Sequence, residues 1–94
     1  AASGREQRKA SAQARQQLAE KTRPLRRELE KIDARLAQLS AEKEGLEQRL
    51  ATLLPPAEIA DCGRRLKACS DEIEQLEERW LELGEALEAL QGQA

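Results

Sequence analysis

Carboxylates, guanidinium groups and two thiols are the side chains of this 94-residue sequence with chemistry to offer, for it contains no histidine and no tyrosine. Glu72, Glu74, Glu77 and Glu78 invite a general acid/base reading, but such a pair needs surroundings that drive the two pKa values apart. On an exposed helix these carboxylates form a solubilising face. The serines have no imidazole to activate them, which excludes the usual nucleophilic triads. Cys62 and Cys69 are seven residues apart, about 10 Å along one helix, too far to bridge. With no histidine and no CxxC pair they read as small core residues, and no metal site is expected. The five glycines (Gly4, Gly45, Gly63, Gly84 and Gly92) are scattered singly, so no phosphate-cradling loop exists. The chain therefore reads as a non-enzyme that binds no cofactor itself.

The cations are distributed differently. Residues 1–27 carry eight Lys/Arg against Glu6 and Glu20, a net of +6, so the remainder sums to −8 within an overall charge of −2. At 100° per residue, Arg5, Arg8, Lys9, Arg15, Arg23, Arg26 and Arg27 fall within about 120° of one helical face. Leu18, Leu25 and Leu29 lie on another. Such a stripe suits a run of phosphates, each contact releasing counterions; the competing reading is an ordinary solvated face. Trp80, the sole aromatic, has the type to stack on a base, but its phase with the apolar seam favours a core anchor.

The elements that must position these groups are helices. Apolar content is 39% and charge 36%, with no Val, Phe or Tyr, a composition of long solvated helices rather than a globular core. Leu18, Thr22, Leu25, Leu29, Ile32, Leu36, Leu39, Lys43, Leu46, Leu50 and Leu53 alternate in steps of four and three. Ile59, Cys62, Leu66, Cys69, Ile73, Leu76, Trp80, Leu83, Leu87 and Leu90 repeat the alternation. Each seam needs a partner helix. Lys43 interrupts the first seam in a way that can specify register, its amine reaching water.

Pro55-Pro56 lies between the two series and breaks the first helix, so the fold class is all-α: an antiparallel two-helix coiled-coil hairpin with a basic N-terminal helical extension. A turn tight at the prolines with Leu50 facing Cys62 sets Arg35 by Arg79, Glu42 by Glu72 and Arg49 by Arg65, all repulsive. Sliding one heptad sets Leu53 by Leu66 and Leu39 by Trp80, with Glu42 by Arg79 and Arg49 by Glu72, which attract. The second register is favoured. It places helices at about 22–53 and about 66–91, joined by a connection at about 54–65 in which Asp61 caps the second helix and Gly63 relaxes its start. Pro24 is expected to kink or break the chain around residues 20–24, with Thr22 a cap, dividing it into a basic extension (1–21) and the hairpin (22–94). Ala1 to Gly4 and Gly92 to Ala94 read as flexible ends.

The run Thr22-Arg-Pro-Leu-Arg-Arg-Glu-Leu-Glu-Lys, the leucine heptads, the proline connection and the closing Leu76-Glu-Glu-Arg-Trp-Leu-Glu-Leu-Gly-Glu-Ala-Leu together resemble the C-terminal coiled-coil domain of ABC-F proteins, tandem ATP-binding-cassette ATPases without membrane domains. The likeness covers nearly the whole chain. It implies an accessory helical hairpin that contacts DNA or ribosomal RNA, with ATP and magnesium handled by ATPase domains upstream in the same chain. Family members often carry an aromatic in the connection; here Ala57-Glu58-Ile59-Ala60-Asp61 supplies none. The expected function is thus nucleic-acid binding through the seven cations, and the alternative a structural spacer or protein-docking arm. A monomer is expected, cytoplasmic, with no membrane partner, since no apolar run or signal sequence is present.

Overall fold

The computed structural model describes residues 2–92, with side chains from Ser3 onward. Two helices account for almost all of it: α1 (Ala2–Leu50) and α2 (Pro56–Gly92), packed only on each other. The molecule is a rod of 81 × 15 × 14 Å, its long axis close to the roughly 74 Å that a helix the length of α1 must span. Its radius of gyration, 22.3 Å, is far above the roughly 12 Å of a compact chain of this length. The heptad argument for an all-α antiparallel hairpin holds. No strand occurs among the described residues.

The turn is shorter than expected and the register differs. α1 stops at Leu50, where Thr52 donates its hydroxyl to the Arg49 carbonyl at 2.7 Å and its N–H to the same oxygen at 3.0 Å, satisfying one of the free carbonyls of the last turn. α2 begins at Pro56, and the Pro55 carbonyl accepts the N–H groups of Glu58 (3.0 Å) and Ile59 (3.1 Å). A proline is well suited to that first position, because its φ is already helical and its missing N–H has no partner to lose. The connection is thus residues 51–55, with Pro55 closing it and Pro56 opening α2. The expected connection at 54–65 does not form: residues 57–65 are helical, Asp61 pairs with Arg64 inside α2 instead of capping it, and Gly63 is an interior residue. Leu53, assigned to the seam, is fully exposed in the turn.

Four ion pairs define the true register along one flank of the hairpin: Arg49 with Glu58 (3.9 Å), Glu42 with Arg65 (2.5 Å), Arg35 with Glu72 (2.6 Å) and Glu28 with Arg79 (2.5 Å). Every such pair joins opposite charges. Leu39 is thereby set opposite Leu66 and Leu25 opposite Trp80, so the favoured pairings Leu53/Leu66 and Leu39/Trp80 are wrong. This third register satisfies the criterion of attracting flanks at every step, and it does so without a long loop.

The seam is driest where its residues are small or aliphatic. Leu39, Cys69 and Leu83 are fully buried, with Ile32 and Cys62 nearly so. Both cysteines are free and buried, as small core residues should be. Burial, with the Glu42 carboxylate that accepts a hydrogen bond from the Cys69 thiol at 3.4 Å, pushes that thiol's pKa up. Lys43 is half-buried in the seam.

α1 runs unbroken through residues 20–24, so the expected break at Pro24 and the boundary at 21/22 do not interrupt the helix. Proline removes one backbone hydrogen bond there, a defect that packing on both sides can hold. Thr22 is buried in the seam, donating its hydroxyl to the Ala19 carbonyl at 3.3 Å rather than capping a new helix. Of the ends expected to be flexible, Ala2 to Gly4 and Gly92 are helical, while Ala1, Gln93 and Ala94 lie outside the described residues.

Candidate nucleic-acid interface

Because α1 is continuous, the phase of the cationic stripe carries across Pro24. Arg5, Arg8, Lys9, Arg15, Arg23, Arg26 and Arg27 are all exposed. They are spread over 23 residues, roughly 33 Å of helix from first to last. Glu6 and Glu20 fall outside the stripe on the wheel, and Glu30 ends it. Arg23, Arg26 and Arg27 stand around a shallow open depression with Ala19, Thr22 and Glu30. A second depression, where α1 extends past the end of α2, is lined in part by Arg15, Leu18, Lys21 and Leu90. The register sets Gly92 opposite residue 13, so Arg5, Arg8 and Lys9 stand on a stretch of α1 with no α2 alongside it among the described residues.

The stripe differs electrostatically from the arginines that follow it. Every arginine from Arg35 onward (Arg35, Arg49, Arg64, Arg65 and Arg79) has a carboxylate within 4.0 Å, and among the described residues none of the seven stripe cations does. The hydrogen bond from Arg65 lowers the Glu42 carboxyl pKa to about 2. Arg79 depresses Glu28 and Arg35 depresses Glu72 in the same way, hydrogen bonding being the largest cause in each. Each arginine of the acidic arms is paired within the fold; the base presents guanidinium groups to solvent with no ion pair among the described residues. That arrangement suits polyanion binding, and no group of metal-ligating side chains occurs among the described residues.

Trp80 departs from the expected core anchor. It is 45% exposed, with Leu81 (58%) and Ile59 (48%) the other large exposed apolar groups of α2. A seam residue in a two-helix hairpin is covered from one side only, and an indole opposite Leu25 is too large for that cover. The signal was present in the sequence: a lone aromatic in a two-helix seam has no third layer to enter.

The class of molecule is therefore a helical hairpin with a self-paired flank and an unpaired basic base. Residues 20–85, more than half of the chain, match the family model described as the ABC transporter C-terminal domain, and the chain belongs to that family. The resemblance to an ABC-protein C-terminal domain is borne out at that level. Arg23, Arg26 and Arg27 lie inside the matched segment, whereas Arg5, Arg8, Lys9 and Arg15 precede it. No curated protein and no solved structure matches the chain. No helix among the described residues is long and apolar enough to cross a membrane.

Proposed function

We propose that this C-terminal domain is the nucleic-acid-binding accessory module of an ABC-F type protein of the cytoplasm, its basic face engaging phosphates of DNA or ribosomal RNA. ATP and magnesium belong, on this reading, to ATPase domains upstream, and the hairpin acts as a monomer. One observation carries the proposal: seven exposed cations share one helical face with no carboxylate partner among the described residues, in a molecule whose later arginines are all paired. Guanidinium groups without internal partners keep their full capacity for phosphate oxygens. The competing reading, a spacer or protein-docking arm, gives that separation of paired from unpaired cations no purpose.

The test is a titration of a labelled 20-base-pair duplex at several salt concentrations. Engagement of all seven cations gives a slope of log K against log salt of about −6. Arg23, Arg26 and Arg27 changed together to Glu should flatten that slope by about 3 and weaken binding at 0.1 M salt at least 100-fold. Binding that ignores salt, or survives the triple reversal, sinks the proposal in favour of the spacer.

A further inference from the structure

The four ion pairs line one flank of the hairpin, and in the same register the opposite flank carries Arg26 of the stripe and adjoins the seam position of Trp80. In the register those pairs define, that second flank sets Arg26 opposite Glu77 and Ala19 opposite Gly84, with Trp80 in the seam position beside Glu77 and Gly84. On its other side Trp80 is bounded by Leu76, half-buried, and Leu83, fully buried. Trp80 as a residue is 45% exposed, and its seam position adjoins the flank that carries Arg26. Space beside it is open: a Cβ added to Gly84 would meet no atom within 4 Å. The only acid among these flank positions is Glu77, and it makes no ion pair with Arg26 within 4.0 Å among the described residues. An aromatic face, small-residue surroundings and an adjacent guanidinium are the parts from which proteins build platforms for unpaired bases.

We infer that Trp80, with Arg26 beside it, is a stacking site for one unpaired nucleobase, so that the basic face holds a single strand more tightly than a duplex. The inference rests on the phosphate-binding reading of the stripe and adds a substrate class to it. Arg26 and its neighbours hold the backbone while the indole takes a base from it; a base locked in a duplex has no free π face to offer. Base–aromatic stacking is tolerant of sequence, so the site discriminates between paired and unpaired strands rather than between bases.

The experiment uses the full 94-residue chain with fluorescein-labelled dodecamers: oligothymidylate, oligouridylate and a 12-base-pair duplex, titrated at low salt. The emission of Trp80, the only tryptophan, should be quenched by both single strands and little by the duplex. Trp80→Leu should weaken single-strand binding by about ten-fold and leave duplex binding within two-fold, whereas Trp80→Phe, which keeps a π face, should retain most of it. Equal results with thymidylate and uridylate locate recognition in the base; a uridylate preference adds the ribose hydroxyl. Far-UV circular dichroism confirms that each variant keeps its helices, and the Phe variant carries the comparison if the Leu variant loses them. The inference is overturned if the duplex quenches as strongly as the single strands, or if Trp80→Leu affects both ligands equally or neither. It is also overturned if sedimentation shows a dimer whose formation alone shifts Trp80 emission, since a second copy would then be the indole's partner. Loss of all binding in the Arg23/Arg26/Arg27 reversal alongside an inert Trp80→Leu would refute this site and leave the phosphate reading standing.

Discussion

The two ends of this rod use arginine in opposite ways. Toward the turn, Arg35, Arg49, Arg65 and Arg79 reach across to Glu72, Glu58, Glu42 and Glu28 and fix the alignment of the helices. Toward the base the ladder runs out: the next position on that flank is Lys21, whose opposite number is Ala86, and Arg15 stands opposite Leu90 in the seam. The stripe cations there make no ion pair within 4.0 Å among the described residues. Composition alone would count both sets as charge on a solvated helix. What separates them is the register, which decides whether a guanidinium is consumed within the fold or left for something outside it.

The comparison can be broken most severely at the shared seam. Leu39 is fully buried near the middle of the rod, and Leu39→Ala should destabilise the hairpin by about 2–5 kcal/mol. Thermal unfolding followed at 222 nm will check this. If the ends are independent in function, nucleic-acid binding measured well below the lowered midpoint should keep its salt slope. The triple reversal at Arg23, Arg26 and Arg27 is the converse case, with at least 100-fold weaker binding and an unfolding midpoint little changed.

A smaller effect is expected at Pro24, which interrupts the hydrogen-bond ladder of α1 within the stripe. Pro24→Ala restores a donor for the Glu20 carbonyl and should stabilise the helix by up to about 3 kcal/mol. A lower midpoint would mean that the proline's fixed geometry is needed for the packing of Thr22. The gentlest probe is pH. Glu42 titrates at about 2 in the folded state against an ordinary 4.5, and Glu28 and Glu72 are also lowered. A carboxyl depressed on folding stabilises above its unfolded pKa and loses that contribution as pH falls through the folded one. The hairpin should therefore weaken progressively from about pH 4.5 toward about pH 2, and Arg65→Ala should remove part of that slope in acid unfolding curves. An unchanged slope would show that the distal ladder does not stabilise the fold.

Much of the fold was legible in local pattern. The steps of four and three located both helices, Pro55 and Pro56 located the turn, and the spacing of Cys62 and Cys69 excluded a disulfide. The register was not legible by the same route, because heptads are degenerate under shifts of seven and the flanking charges had to be tried in every shift. Pro56 is a helix start and not an obstacle, and the short turn permits the shift that works. Pro24 misled in the other direction: a local breaking signal met a seam able to hold the helix through it. The stripe was readable from spacing alone, whereas Trp80 was misassigned because phase with a seam says nothing about how many neighbours cover it.

From the sequence by itself came the helical hairpin and its basic and acidic ends, because periodicity, proline and charge act locally along the chain. Tertiary structure alone decided which cations are paired, which residues are dry and what surrounds the indole. Those properties depend on one integer, the alignment of α1 against α2, and on the bare geometry of two helices, which leaves every seam residue open on one side.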